Sequence, residues 1–171
     1  MDIFIIEISN VEKVKSETLK QFQKKDISDE KKLKEHCLAY LLVDKFLDEV
    51  YNIKSREIIF EDGKPILIDG GKHFSISHSE DLIALAFSDS NCGVDIEKIK
   101  LREFKKIAER MKFEAETLGD FYQEWTKYEA LYKLGKNVNY GSVANFELDD
   151  YALSAVSENP CEEFELYFQC S

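Results

Sequence analysis

The amino-acid sequence predicts an α+β fold of two small, tightly joined halves, residues 1–90 and 91–171. Each half contains a segment with the apolar spacing of an amphipathic helix and several short segments with the alternation of a strand. The strands follow one another across short turns, which favours antiparallel sheets over a doubly wound parallel sheet. The 171 residues are 44% hydrophobic, with seven Gly and two Pro, so the chain has enough apolar material for a core. A single ordinary domain is the alternative at this length.

The first half is predicted to contain one long helix and five strands. The helix runs from about Asp29 to Val50, because apolar residues recur there at helical spacing between charged ones. Asp62-Gly63, between two β-branched runs, predicts a tight hairpin turn. The strands are predicted at residues 1–7, 58–60, 65–68, 73–77 and 82–88.

The second half is predicted to contain two helices and four strands. A basic helix is expected near Leu101–Met111 and a longer helix near Glu114–Leu134, which Gly135 ends. The strands are predicted at residues 92–97, 144–148, 151–156 and 163–169, the last with the alternation of a half-buried sheet.

The charge of the chain is acidic and unevenly distributed. The formal net charge is −11, and residues 137–171 hold no Lys or Arg. Because nucleic-acid binding needs clustered Lys and Arg to neutralise phosphates, this composition argues against a nucleic-acid partner. The exception is Lys98–Lys112, where seven basic and two acidic residues predict a local basic surface.

The cysteines and the apolar runs predict a cytoplasmic protein. The four cysteines form no C-x-x-C pair, so we expect reduced thiols and no disulfide framework. They are Cys37, Cys92, Cys161 and Cys170. The longest apolar run, Leu38–Val43, is far too short to span a membrane, and acids flank the N-terminal strand, unlike a targeting segment.

The segment Gly93–Glu97 places two carboxylates on one face of a strand. Side chains two residues apart share a face, so Asp95 and Glu97 project together while Val94 and Ile96 point into the core. Two carboxylates repel unless a cation lies between them, and Mg²⁺, which prefers oxygen ligands and substrate phosphate, is the natural partner. A solvated acidic face is the alternative.

The segment Phe74–Ser79 combines a histidine with hydroxyls at the end of a strand. Ser77 and His78 are suited to donate hydrogen bonds to a phosphate. A serine nucleophile with His78 as its base is a second interpretation, although the members of such triads usually meet through the fold. A turn in which Ser and His bond the backbone is the third.

The segment Trp125–Gly135 carries Trp125, Glu129 and Lys133 at spacing i, i+4, i+8, so the three lie along one helical face. Taken alone, Glu129 and Lys133 read as a surface pair worth about 0.3–0.5 kcal/mol, with Trp125 in the core.

Together with Gly63-Lys64-Pro65, these segments resemble the Sfp-type 4′-phosphopantetheinyl transferases over about residues 30–136. The family pattern is a Gly-Lys-Pro turn, then F-S/N-x-S-H-S, G-V-D-I-E and W-x-x-K-E-A-x-x-K-x-x-G, in that order. The chain differs at Tyr128, where the family usually has Lys, and at Gly135, which comes one residue early.

The resemblance implies two similar halves related by a pseudo-twofold axis, joined near residues 89–92, with coenzyme A in the cleft between them. It implies that Asp95, Glu97 and Glu129 hold one Mg²⁺ that grips the pyrophosphate. Glu129 is expected to act as the general base toward a serine hydroxyl of an apo acyl or peptidyl carrier protein. That oxygen attacks the phosphorus nearer the pantetheine, and adenosine 3′,5′-bisphosphate leaves.

Further contacts with coenzyme A are implied by the same resemblance. Lys133, expected to be catalytic together with Glu129, would hold the pyrophosphate. Lys34, in a segment similar to the family's Arg-Glu-His, is expected to add to the nucleotide contacts. The residues expected at the 3′-phosphate and adenine end are Lys64, Pro65, Ser77 and His78.

The resemblance also implies an acidic carrier protein as partner, which makes Lys98–Lys112 the expected docking surface. Phe104, Met111 and Phe113 would offer apolar contact beside its charges, unless they form the core-facing stripe of a solvated helix. We expect a monomer. Two other functions stay open: a homologue that binds coenzyme A without transfer, and a Mg²⁺-dependent phosphohydrolase.

Overall fold

A computed structural model describes residues 1–10, 28–54, 57–61, 63–68, 71–135 and 138–169. The predicted turn residue Asp62 and the predicted free thiol of Cys170 lie outside these residues. Three α-helices are present in the described ranges: α1 (Glu30–Glu49), α2 (Lys105–Met111) and α3 (Leu118–Leu134). The strands are β1 (Asp2–Glu7), β2 (Ile58–Glu61), β3 (Lys64–Leu67), β4 (His73–Ser79), β5 (Leu82–Ser88), β6 (Cys92–Lys98), β7 (Ser142–Leu148), β8 (Tyr151–Ser157) and β9 (Glu165–Gln169).

The strands form two larger sheets and one hairpin. The first sheet has the order β4-β5-β1-β9, and all of its pairs are antiparallel except β1 with β9. The second sheet has the order β6-β8-β7 and is antiparallel throughout. β2 and β3 pair as a separate hairpin. The predicted α+β class is confirmed.

The elements stack in four layers: α1, the first sheet, the second sheet and α3. The face of the first sheet that carries Leu85 and Phe87 packs on Val43 of α1. Its other face packs on the second sheet through fully buried residues such as Val94 and Ile96. The far face of the second sheet meets the apolar side of α3. Both sheets are therefore covered on each face.

The same order of elements occurs twice along the chain. β1, α1, β4 and β5 form a unit in which the last strand lies between the other two, in the order β4-β5-β1. β6, α3, β7 and β8 repeat this arrangement in the order β7-β8-β6. β9 then returns to the first sheet and runs parallel to β1.

Two helices begin later than predicted. α2 starts at Lys105 and α3 at Leu118, whereas the sequence pattern predicts Leu101 and Glu114. The start of α3 is fixed by a capping box: the Thr117 hydroxyl accepts from the Asp120 N–H at 3.1 Å, and the Asp120 carboxylate accepts from the Thr117 N–H at 2.7 Å. In the described part of the chain, no helix combines the length and hydropathy needed to cross a membrane.

Candidate functional site

Gly93 allows α3 to lie directly on β6. A Cβ atom at this position would be 2.1 Å from the main-chain oxygen of Ala130 and 2.9 Å from the main-chain nitrogen of Leu134. Both contacts are shorter than real Cβ atoms make, so only glycine permits this approach. The close packing brings the face of α3 that carries Glu129 and Lys133 onto the strand that carries Asp95.

Asp95 is the most enclosed charge in this region, with 5% of its surface exposed. The Lys133 ammonium donates to Asp95 Oδ1 at 2.7 Å and to the Val94 carbonyl at 3.1 Å. Ser77 donates to the same Asp95 oxygen at 2.8 Å. The other oxygen, Oδ2, is buried and has no hydrogen-bond partner among the described residues. A buried carboxylate oxygen without a partner is costly and calls for a ligand.

Glu97 lies on the same side of β6, as the strand spacing predicts. It accepts a hydrogen bond from Ser79 at 3.0 Å, while Val94 and Ile96 point into the core. Burial raises the pKa of Glu97, and the negative charge of Asp95 raises it further. Burial, and then Asp95, likewise raise the pKa of Glu129. Lys133 opposes both increases without cancelling them.

These carboxylates form an electrostatic cluster that is short of positive charge. Their oxygens are the hard donors that Mg²⁺ prefers, and the unpartnered Oδ2 of Asp95 lies within it. The residues present therefore fit a divalent cation. Across the described ranges, no three His, Cys, Asp or Glu side chains lie together as a formed metal site, so joint ligation by Asp95, Glu97 and Glu129 stays a prediction.

A cleft of about 1020 Å³ lies beside this cluster. It is lined by α1, the β2–β3 hairpin, β4 and the end of α3, so elements from both predicted halves contribute. Lys64, Pro65, His78 and Lys133 are among its lining residues. Ser77 and Lys34 do not line the cleft.

Lys64 makes structural hydrogen bonds that the sequence does not predict. Its ammonium donates to Asn91 Oδ1, to the Cys92 carbonyl at 3.1 Å and to the Leu134 carbonyl at 3.2 Å. Leu134 ends α3, and a cation at the end of a helix stabilises the last carbonyls. Lys64 thus ties the hairpin to β6 and α3. Burial lowers the pKa of Lys64.

His78 contacts α1 through a residue that sequence reasoning missed. Its Nδ1 lies 3.8 Å from Glu35 Oε2. Burial lowers the pKa of His78, and the Glu35 carboxylate acts in the opposite direction. Lys34, the residue predicted from this segment, is exposed. From the same segment, His36 lines the cleft.

Aromatic side chains on one wall of the cleft were also missed. His36 and Tyr40 of α1 have ring centroids 4.7 Å apart, and Tyr40 and Phe60 have centroids 6.2 Å apart. Burial raises the pKa of Tyr40 to about 12, so this phenol stays neutral. His36 and Tyr40 lie one turn apart on α1, but no sequence spacing connects them to Phe60 of β2.

The basic segment Lys98–Lys112 is largely exposed. Phe104 and Phe113 pack on Phe121 at centroid distances of 5.7 and 6.2 Å, so they follow the core-stripe alternative. The apolar residue that the segment presents to solvent is Leu101, which is 97% exposed.

Comparison with known proteins agrees with the motifs. The chain is 35% identical to the 4′-phosphopantetheinyl transferase gsp of Aneurinibacillus migulanus, over 66% of this chain and 52% of that protein. It is also 35% identical to the 4′-phosphopantetheinyl transferase psf-1 of Bacillus pumilus, over 61% of this chain and 51% of that protein. No family model matches. The chain spans about half the length of these curated relatives. Over about two thirds of its own length, the chain is therefore similar to curated 4′-phosphopantetheinyl transferases, as its motifs predict.

Proposed function

We propose that this protein is a transferase that moves the 4′-phosphopantetheine group of coenzyme A to a serine of an apo acyl or peptidyl carrier protein. Two relatives that carry the name 4′-phosphopantetheinyl transferase support the reaction. The observation that carries the proposal is Asp95, buried against Lys133 with one oxygen unpartnered among the described residues, beside two carboxylates of raised pKa. A cleft of about 1020 Å³ adjoins it.

We assign the divalent-cation site to Asp95, Glu97 and Glu129. The unpartnered Asp95 oxygen and the uncompensated charge on Glu97 and Glu129 support this assignment. When bound, Mg²⁺ would supply Lewis acidity and neutralise charge on the pyrophosphate. The Lys133 ammonium is hydrogen-bonded to Asp95. Lys133 also lines the cleft, so its positive charge acts on a ligand bound there. This placement suits an interaction with the pyrophosphate.

Glu129 is the proposed general base. Burial and the neighbouring Asp95 raise the pKa of Glu129, and a carboxylate within hydrogen-bond reach of the substrate hydroxyl can accept its proton. Glu129 takes the proton of the carrier serine hydroxyl, and the serine oxygen forms a bond to the phosphorus nearer the pantetheine. The bond from this phosphorus to the pyrophosphate bridging oxygen breaks, and adenosine 3′,5′-bisphosphate leaves with that electron pair.

The nucleotide end of coenzyme A is proposed to lie in the cleft beside His78, Pro65 and Lys64. These residues line it and supply a polar ring and a cation. Ser77 and Lys34 lie outside the lining, and their contacts with coenzyme A stay predictions.

The carrier protein is proposed to dock on Lys98–Lys112, where exposed basic side chains surround Leu101. Opposite charge on the carrier would steer the encounter. Changing Lys105 and Lys106 together to Glu should raise the KM for the carrier and leave the KM for coenzyme A unchanged. Lys45→Glu, an exposed lysine on α1, is the control and should change neither value.

The repeated β-α-β-β order supports two further proposals: a pseudo-twofold relation between the halves, and their division at 1–90 and 91–171. We also propose a cytoplasmic location, which the free thiols of Cys37, Cys92 and Cys161 support, and a monomeric state. Light scattering coupled to size-exclusion chromatography tests the monomer, and a dimer mass would refute it.

The direct test of function is incubation with coenzyme A, Mg²⁺ and several apo carrier proteins, followed by mass spectrometry of the carrier. Transfer appears as the added mass of phosphopantetheine on one serine. Asp95→Ala should abolish it, while Glu124→Gln, which changes a carboxylate elsewhere on α3, should not. Binding of coenzyme A without transfer to any carrier would refute the proposal, as would hydrolysis of coenzyme A without a carrier.

A further inference from the structure

Three serines of β4 make the same contact with β6. Ser75, Ser77 and Ser79 alternate along the strand and therefore share one face. Their hydroxyl oxygens accept hydrogen bonds from the main-chain N–H groups of Val94 at 3.0 Å, Ile96 at 3.3 Å and Lys98 at 3.0 Å. β4 and β6 are edge strands of different sheets, so this serine ladder (Ser75, Ser77 and Ser79) joins the two sheets along the strands that carry the site.

Two members of the serine ladder also donate to a carboxylate. Ser77 donates to Asp95 Oδ1 at 2.8 Å, and Ser79 donates to Glu97 Oε2 at 3.0 Å. A hydroxyl has a single proton. Because a main-chain N–H already points at the serine oxygen, that proton is directed at the carboxylate. Each of these serines thus fixes the direction of one acidic side chain.

Among the described residues, Ser75 donates to no carboxylate, and the reason is the residue of β6 that it faces. Each serine accepts a hydrogen bond from the main-chain N–H of one residue of β6. It lies beside the β6 residue that precedes this donor in the chain. For Ser77 and Ser79 that residue is acidic, but for Ser75 it is Gly93, which has no side chain. Ser75 therefore makes the main-chain contact of the other two without touching the acidic cluster.

We infer that Ser77 and Ser79 are positioning residues that aim the carboxylates of Asp95 and Glu97 at a divalent cation. This inference rests on the metal site of the proposed function. Ser77 and Lys133 both bond Asp95 Oδ1, which leaves Oδ2 as the oxygen for the cation. Without the serine proton, the carboxylate is free to turn and to offer both oxygens to Lys133. Partners of this kind around a ligating side chain typically change metal affinity by about 10–100-fold.

The test compares Ser75→Ala, Ser77→Ala and Ser79→Ala in the full chain with Mn²⁺ as the probe, whose binding is followed by electron paramagnetic resonance. Ser77→Ala and Ser79→Ala should weaken Mn²⁺ binding by about 10–100-fold. Ser75→Ala should also lower the melting temperature, because it loses the same kind of main-chain bond, yet keep the wild-type Mn²⁺ affinity. Ser79→Thr, at the more accessible position, keeps the hydroxyl and should restore affinity.

The outcomes separate this inference from the proposed function. Equal loss of Mn²⁺ affinity in all three alanine variants, or no loss in Ser77→Ala and Ser79→Ala, would overturn the inference. If Ser77→Ala does not fold, the Mn²⁺ affinities of Ser79→Ala and Ser79→Thr, at a half-buried position, test the inference. A wild-type protein that binds Mn²⁺ with the expected serine dependence but transfers no phosphopantetheine would refute only the transferase proposal. A wild-type protein that binds no Mn²⁺, even with coenzyme A present, would refute the metal site and the inference together.

Discussion

Gly93→Ala is the substitution whose effect follows most directly from the packing of α3 on β6. The new Cβ would lie 2.1 Å from the Ala130 oxygen, whereas ordinary contact begins at 3.4 Å, so α3 has to move by about 1.3 Å. Both obstructing atoms nearest to it belong to the main chain, so rotation of a side chain cannot relieve the contact. Overpacking of this kind costs about 1–3 kcal/mol. At roughly 2–4 °C per kcal/mol for a chain of this size, the melting temperature should fall by roughly 2–12 °C.

The same shift should impair the reaction more than the fold. Glu129 and Lys133 move with α3 while Asp95 stays on β6, and a displacement of about 1 Å can cost about 100-fold in rate. Thermal melts and transfer rates, the latter measured well below the melting temperature, report the two effects separately. The control is Gly119→Ala in the first turn of α3, where the added Cβ meets only the Thr117 hydroxyl oxygen, at 3.6 Å. Alanine favours helix by up to about 1 kcal/mol over glycine, so this variant should be more stable and fully active. Wild-type stability and rate in Gly93→Ala would refute the reasoning.

Three other predictions concern the charges of the site. The pKa of Glu97 in the folded protein is raised above 4.5, so the folded state favours the protonated carboxyl. The protein is therefore most stabilised below pH 4.5, and this contribution to the free energy of unfolding is lost as the pH rises through the folded-state pKa. Glu97→Gln should therefore raise the melting temperature at neutral pH without divalent cations but not in acid, and a gain that does not depend on pH would contradict this. Lys64→Met should destabilise the protein in urea by about 1–3 kcal/mol, because it leaves the Leu134 carbonyl with one bond fewer; a raised KM for coenzyme A at unchanged stability would instead assign Lys64 to the ligand alone. Glu129→Gln should bind coenzyme A yet lose about 10²–10⁴-fold in transfer rate, whereas Lys133→Ala should also raise the KM for coenzyme A; more than about a tenth of the wild-type rate in Glu129→Gln would exclude it as the base.

The helices and strands were predictable because their signals are local. Alternation and helical spacing depend on residues a few positions apart, and every predicted strand and helix is present, most of them within a few residues of the expected bounds. The starts of α2 and α3 were predicted too early because the helical apolar spacing extends to residues that precede the first turn of each helix. Thr117 with Asp120 is the local signal that could have corrected the start of α3, since Thr-x-x-Asp before an apolar run is typical of a capping box.

The site was partly predictable for the same reason. Asp95 and Glu97 share a side of β6 because of strand geometry, and Glu129 and Lys133 lie one turn apart on α3. Their meeting across two elements could be expected only from the family resemblance. Periodicity carries no information about contacts between residues far apart in the chain.

The sequence by itself determined the α+β class, the positions of the helices and strands, and the segments that carry the chemistry. Tertiary structure alone decided how these segments are joined: Gly93 admits α3 onto β6, Lys64 spans from the hairpin to the Leu134 carbonyl, and the serines of β4 hold the carboxylates of β6. The physical reason is the distance along the chain over which each interaction acts. Backbone preference and amphipathic spacing act over a few residues, whereas close packing and buried hydrogen bonds depend on which surfaces the folded chain brings into contact.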